Sequence, residues 1–340
     1  MPIAKLPTET IKPAEEVLAR LDLLYMACPD CPAEPGLEKA ARFSALASRG
    51  GGRGGSLRRC SACGRAPLDV VMMEAMEVLV RHRLRKGSDP LRSIGWPLVE
   101  VGFPLAYPPR LGPDELIIVG ERLTKEAAAE IIAHVPEIKG VIRGGGVPGV
   151  SDLRAAPHRW ELLAGSDLRC DVVSSLIGEL VIYKHQSKIH VEFPRQSAPK
   201  MKILEELYFR GRLTTVADVL CGPGTLGLSA VLAGAERVVL NDAWLPAVED
   251  AILNLEANRS LLGIERIERH KLPAGEVGAE SVLAAEAEGE GCRIEVYFGD
   301  AERLFSRAEP TDLCLIDPFP GMKYERIVEA CGVCGEVVIV

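Results

Sequence analysis

The stretch that decides the fold is Val216-Ala-Asp-Val-Leu-Cys-Gly-Pro-Gly-Thr-Leu-Gly227, followed by Leu228 to Ala233. It reads as a short buried strand over 216–220, a tight turn at Gly222 and Gly224, and a helix opening at Leu226. A second strand, Arg237-Val-Val-Leu-Asn-Asp242, ends in an acid 24 residues after Asp218. That spacing suits a glycine turn that approaches a nucleotide, with the next strand ending in a carboxylate that holds a ribose. A Cβ at the turn would block the backbone's approach to such a ligand. Gly222, Gly224 and Gly227 also fit Gly-x-Gly-x-x-Gly, so the glycines alone leave a dinucleotide open, and a turn that binds nothing is a third reading.

Further strands follow at 294–298 and 313–316, each ending close to an acid (Asp300, Asp317), and a last one at 336–340. Helices are expected at 198–210, 246–258 and 324–330, and the Glu/Ala/Gly-rich segment 271–291 reads as an exposed helix and loop. Strand–helix alternation implies a parallel sheet with ligands at the carboxyl ends of its strands. Asp218 within the first strand, Pro223 between the glycines and Asp317-Pro-Phe-Pro320 resemble class I S-adenosylmethionine (SAM) methyltransferases. The resemblance implies a Rossmann-like, SAM-binding domain over 198–340. In that family the chain usually continues past the fifth strand with a helix and a hairpin, so this sheet is expected to be short of its usual edge.

Carried over residue by residue, the likeness assigns cofactor contacts to Asp218, Cys221, Gly222, Gly224, Asp242, Asp300 and Ala301. Gly222 and Gly224 let backbone amides approach the methionine part. Asp242 accepts from both ribose hydroxyls, a bond to a charged group contributing about 1.5–3 kcal/mol. Asp300 and the Ala301 amide meet the adenine, or Asp300 is a helix cap. Asp317-Pro-Phe-Pro320 resembles the acceptor-binding element of amino N-methyltransferases and of a tRNA guanine N2-dimethyltransferase. There the acid and the carbonyl of Pro318 accept from the acceptor nitrogen while Phe319 stacks on the base. Methyl transfer from a sulfonium needs no acid for its leaving group, so catalysis rests on positioning, worth about 7–11 kcal/mol when reactants are aligned, and on proton removal. Cys331-Gly-Val-Cys334 lacks the Ser-Cys-Asn-Pro setting of a pyrimidine methyltransferase nucleophile and reads as small buried residues.

Residues 93–197 read as a mixed α/β domain. Strands are expected at 97–107, 115–119, 138–143 and 172–191, and a helix at 124–134 opened by a threonine cap. Ile138-Lys-Gly-Val-Ile-Arg-Gly144, Trp160-Glu-Leu-Leu-Ala-Gly165 and Lys188-Ile-His-Val-Glu-Phe-Pro-Arg-Gln196 resemble the archaeal and eukaryotic tRNA guanine N1-methyltransferases and the related wybutosine-pathway aminocarboxypropyl transferases. The likeness spans roughly 95–320. It places Phe193-Pro-Arg195 at the family's Phe-Ser-Pro-Arg stretch, without the serine, so that Arg195 positions a phosphate or the acceptor's carbonyl, or else forms a surface ion pair. The guanine N1 group has Asn-Leu-Pro where this chain has Asp317-Pro-Phe.

Residues 1–92 begin with a helix expected over 14–25 behind Pro13. Cys28-Pro-Asp-Cys31 and Cys60-Ser-Ala-Cys63-Gly then pair two Cys-x-x-Cys units, a tetrahedral thiolate set for structural zinc in a zinc-ribbon-like region. Four unligated thiols is the alternative. Between them the Gly/Arg-rich loop 48–59, with Arg49, Arg53, Arg58 and Arg59, is either a basic arm for RNA phosphates or a solvated bridge. A helix over 69–86 ends in Arg81, His82, Arg83, Arg85 and Lys86, which either complement the helix dipole or hold phosphate.

The 340 residues carry a net charge of −8, unevenly spread. Lys/Arg against Asp/Glu run 16 to 12 over 1–110, 13 to 14 over 111–210, and 11 to 22 over 211–340. Nucleic acid is gripped through cations on phosphate, so an RNA partner belongs to the front two-thirds. No run of 18 apolar residues and no apolar secretory core imply a soluble, cytoplasmic protein that meets no membrane. Ten cysteines there speak for metal rather than disulfides. The expectation is an α/β, SAM-dependent tRNA-processing transferase that binds RNA and zinc and methylates a base, guanine first. Its alternatives are aminocarboxypropyl transfer, a small-metabolite or protein acceptor, and a non-catalytic SAM sensor. Oligomeric state leaves no trace in the sequence.

Overall fold

The computed structural model describes residues 11–48, 58–149, 156–191, 194–211, 214–319 and 321–340, with side chains in the 194–209 helix from Pro199 onward. Phe193 and Pro320 lie outside the described residues, as do Arg49, Arg53 and the side chain of Arg195. The chain divides into two compact units. One comprises 20–146 and 159–169; the other takes the described parts of 1–19, 147–158 and 170–340.

The first unit holds α1 (Leu68–Arg81) and a four-stranded sheet of β1 (Trp96–Val99), β2 (Leu116–Gly120), β3 (Ile138–Arg143) and β4 (Glu161–Gly165), with α2 (Lys125–His134) between β2 and β3. β2 and β3 run parallel through that helix, while β1 and β4 are antiparallel neighbours. Every residue of β2 is buried. Thr124 caps α2 by accepting from the Ala127 amide at 3.3 Å, as its sequence predicts.

Two expectations for the N-terminal residues change. The helix expected over 14–25 is helical only over Ala14–Leu18, followed by a 3-10 turn over Leu21–Leu23. Tyr25 then adopts φ +59° and is fully buried, its hydroxyl accepting from the Val101 amide at 2.8 Å. The basic run after α1 is structural at three of its positions. Arg83 (φ +59°) sits at the left-handed closing position, with Arg83 N donating to Val80 O and Leu84 N to Leu79 O, a Schellman closure. Arg81 and His82 both reach Glu130, and Arg85, 4% exposed, donates to the carbonyls of Leu84, Ser93 and Glu121. Those three side chains are committed, although Arg81, like Arg83 and Lys86, stays exposed.

In the second unit, the expected strand 172–191 is two strands, β5 (Leu168–Ser174, beginning just before the unit) and β6 (Glu179–His185), then α3 (Pro194–Phe209). A seven-stranded sheet follows, formed by β7 (Thr215–Asp218), β8 (Arg237–Asp242), β9 (Ile264–Arg269), β10 (Val282–Gly289), β11 (Cys292–Phe298), β12 (Leu313–Ile316) and β13 (Glu336–Ile339). Its order is β9-β10-β11-β8-β7-β12-β13. Five strands, from β11 to β13, are parallel, and α4 (Thr225–Leu232), α5 (Leu245–Ala257) and α6 (Glu325–Ala330) connect them. The chain winds outward from β7 to β11 and then returns to β12 on the other side. That reversal opens a crevice at the carboxyl end of β7.

Segment 271–291 corrects the sequence reading: 282–289 is strand β10, not helix and loop. Its alanines favour helix in isolation, yet Glu290 and Gly291 (φ +80°) make a two-residue turn that folds it back on β11. Ala284, Ala285 and Ala287 are then buried against the core. Sheet pairing overrides propensities of a few tenths of a kcal/mol per residue.

Candidate functional site

The turn after β7 is built by the backbone. Gly222 has φ +52° and Gly224 φ +90°, a region costly to residues with a Cβ. A Cβ on Gly222 would meet nothing within 4 Å, so here the dihedral demands glycine and the space above it is open. Gly227 differs: a Cβ there would lie 2.1 Å from Leu240 Cδ2, so this glycine lets α4 pack against β8. The peptide at the turn's apex is pinned, Gly224 N donating to Cys221 O at 2.8 Å.

Two acids stand beneath this turn. Asp242, at the end of β8, accepts from Gly222 N at 2.9 Å and from Trp244 N at 2.8 Å. A carboxylate offers about four acceptor positions, so a diol can still be held. Asp218, 1% exposed, accepts from Gly227 N at 3.0 Å through Oδ2, while its Oδ1 is buried with no hydrogen-bond partner among the described residues. Burial raises both carboxyls, Asp218 to about 7 and Asp242 to about 6, with Asp317 and Asp242 adding to the shift at Asp218. Cys221, 6% exposed, is raised well above an ordinary thiol by burial, which removes it as a nucleophile.

These groups line a cavity of about 400 Å³ that lies wholly within the second unit. Gly222, Asp218, Cys221 and Asp242 line it together with Asp317, Pro318 and Phe319. Asp317 follows β12 and receives Lys200 Nζ from α3 at 2.5 Å, each side chain about a quarter exposed. Phe319 meets His190 edge-on, ring centroids 5.8 Å apart. Gly149 (φ +135°) approaches it so closely that a Cβ there would lie 2.9 Å from Phe319 Cε2.

Asp300 forms a helix cap. Its Oδ1 accepts from Glu302 N at 3.0 Å at the start of a 3-10 helix, Ala301–Ser306, and neither Asp300 nor Ala301 is among the residues lining the cavity. Lys188, Lys200 and Trp244 line it, though the sequence reading assigned them no role. Trp244 is 3% exposed and donates through Nε1 to Lys188 O at 3.2 Å. Its position two residues past the strand-end acid is the one signal that pointed to it.

A separate cluster lies in the first unit. The Sγ atoms of Cys28, Cys31, Cys60 and Cys63 all lie within 4.8 Å of one another, three of the separations being 3.6–3.7 Å. A tetrahedron with metal–sulfur bonds of about 2.3 Å has edges of about 3.8 Å, so the four thiols match a zinc site. Backbone amides of Cys63 and Ala62 hold Cys60 down at about 7. Next to it, Arg59 corrects the reading of 48–59 as a basic arm throughout. Its guanidinium donates to both oxygens of Glu74 (2.8 and 2.6 Å) and both of Glu137 (2.7 and 2.8 Å), the latter 1% exposed. Paired forks of this kind fix orientation as well as charge, and they tie the second cysteine pair to α1 and to the entrance of β3.

No protein-family model and no curated protein matches the chain. Solved structures do resemble it in shape. Trm5b from Pyrococcus abyssi is 15% identical over 65% of this chain, with a TM-score of 0.38, and this chain spans only 54% of that protein's length. The M. jannaschii tRNA m1G37 methyltransferase is 16% identical over 77% of this chain and 62% of its own, with a TM-score of 0.40. TYW2 from P. horikoshii, in complex with MeSAdo, is 16% identical over 79% and 78%, with a TM-score of 0.41. Among the described residues no helix is long and apolar enough to cross a membrane. The solved structures that resemble this chain include SAM-dependent and tRNA methyltransferases.

Proposed function

We propose that this chain is a SAM-dependent transferase that modifies a base of tRNA, in the first place by methylating guanine. The observation that carries the cofactor is the pair of carboxyls beneath the glycine turn, Asp242 half-buried and Asp218 fully buried with one oxygen that has no partner among the described residues. A dinucleotide would bring a pyrophosphate's charge against the carboxyls at the turn, Asp218 above all, since an acid in the place of Asp242 holds a ribose in either case. A cationic ligand meets them favourably, and the cavity lies in the range of roughly 300–1,000 Å³ that small-molecule sites occupy. Bound there, SAM supplies an activated methyl group on its sulfonium. Asp218 takes the ligand's ammonium, Asp242 its ribose hydroxyls, and Trp244 shields the nucleoside from water.

Asp317 and the carbonyl of Pro318 accept from the acceptor nitrogen, and Phe319 stacks on the base. Lys200 keeps Asp317 oriented, and Arg195 contacts the acceptor. Residues 198–340 act as the cofactor domain, 93–197 as the acceptor-positioning domain, and 1–92 as a zinc-stabilised RNA-binding region. Transfer of label from methyl-labelled SAM to tRNA tests the reading. Incorporation into a protein or small-molecule fraction, with none into tRNA, overturns it in favour of the second reading, which the net charge of −8 supports.

Two predictions belong to this site. A carboxyl raised in the folded state still holds its proton where the unfolded chain has released it. Stability without ligand therefore falls as pH rises from about 4 to about 7. The ligand's ammonium, which S-adenosylhomocysteine shares with SAM, prefers ionised carboxylates, so affinity for S-adenosylhomocysteine runs the other way, rising from pH 5 to pH 8. Calorimetry across that interval checks it, and a flat profile contradicts it. For the thiolate cluster, metal analysis is expected to find about one zinc per chain, lost in Cys60→Ser. Chelation is expected to lower the thermal midpoint, because structural zinc contributes folding free energy directly.

A further inference from the structure

On one edge of β6 the partner is a helix. Three buried side chains, two in α5 and the third at its C-cap, are spaced four apart and face three alternate residues of the strand. Asn258 Oδ1 accepts from Val181 N at 3.0 Å and its Nδ2 donates to Val181 O at 2.8 Å. Asn254 does the same at Tyr183, with distances of 2.6 and 2.9 Å. Asp250 accepts from His185 N at 2.9 Å and meets the ring Nδ1 at 2.6 Å. The repeats match: four helical residues rise about 6.0 Å, and two strand residues about 6.7 Å. Side chains thus supply what a neighbouring strand supplies elsewhere, and all three are 0% exposed.

Asn258 Nδ2 also donates to Asn254 O at 2.8 Å, closing the end of the helix, whereas the middle rung reaches the glycine turn. Asn254 Nδ2 also donates to Pro223 O at 2.9 Å, inside the glycine turn. Both N–H donors of that carboxamide are therefore used. The peptide plane joining Pro223 to Gly224 is held at both ends, its N–H by Cys221 O and its C=O by Asn254. We infer that Asn254 is a positioning residue for cofactor binding, locking the glycine turn to β6 and hence to Lys188-Ile189-His190, which line the same cavity. The inference rests on the function proposed above. Without Asn254 the buried Pro223 carbonyl loses its partner, and the peptide plane is free to rotate away from the ligand.

Asn258 is the internal control, since it clamps β6 in the same way and does not touch the turn. The test is calorimetric titration with S-adenosylhomocysteine, with the thermal midpoint of each protein measured alongside. Asn254→Ala is expected to weaken binding at least tenfold and Asn258→Ala less than twofold, with similar losses of thermal midpoint. If Asn254→Ala does not fold, Asn254→Asp takes its place under the same tenfold criterion, because it keeps the acceptor for Tyr183 N and loses both amide donors. Binding by Asn254→Ala within twofold of wild type overturns the inference, as does equal weakening in Asn258→Ala. A wild-type protein that binds no S-adenosylhomocysteine overturns the proposed function itself, a different result from unchanged binding in the variant.

Discussion

Asp242→Ala is expected to weaken S-adenosylhomocysteine at least a hundredfold, with the fold retained. Two ribose hydroxyls donating to one carboxylate are worth about 1.5–3 kcal/mol each. Their combined loss corresponds to roughly 10²–10⁴ in affinity at about 1.4 kcal/mol per tenfold. Asp242 also receives Gly222 N and Trp244 N, so its removal loosens the turn and the start of α5 together. The fold itself rests on the parallel sheet, whose core residues Val238, Val239 and Leu240 are fully buried whatever stands at 242. Calorimetry that returns a dissociation constant within fivefold of wild type, on a protein with an unchanged circular dichroism spectrum, defeats the ribose assignment.

The second large effect concerns the acceptor. Asp317→Ala is expected to lower single-turnover transfer to tRNA by about 10²–10⁴, the range that a positioned proton acceptor contributes. Affinity for S-adenosylhomocysteine should stay within threefold. Such a split follows from the proposed roles, Asp317 meeting the acceptor beside Phe319 and the turn with Asp242 holding the cofactor, all of them lining one cavity. Lys200→Met is expected to give a smaller loss in the same step, because it removes the cation that orients Asp317 and leaves the carboxylate in place. A transfer rate unchanged in Asp317→Ala removes the acid from the chemistry.

The parts of the site that were legible in the sequence are those governed by local chain geometry. Gly222 and Gly224 announce dihedrals that other residues avoid. Asp218 and Asp242 are placed by the ends of apolar runs, and the two Cys-x-x-Cys pairs by their own spacing. Asp300 shows the limit of that signal. An acid after a strand looks the same whether it faces a ligand or caps the next helix, and here it caps. Segment 282–289 shows another limit, since alanine and glutamate name a helix until a hairpin turn offers them an edge to pair with.

The sequence by itself determined the parallel α/β layering, the glycine turn with an acid on either side of it in the chain, and the pairing of four cysteines. Each of these depends on residues near one another along the chain, whose dihedrals and periodicity act before any folding partner is chosen. Only the tertiary structure decided that Lys200 holds Asp317 across 117 positions, that Arg59 is drawn to Glu137 across 78, and that Asn254 reads the backbone of β6 across 71. A lysine, an arginine or an asparagine can satisfy its hydrogen bonds with many partners. Which one it takes is settled by burial, when water is excluded and a single geometry remains.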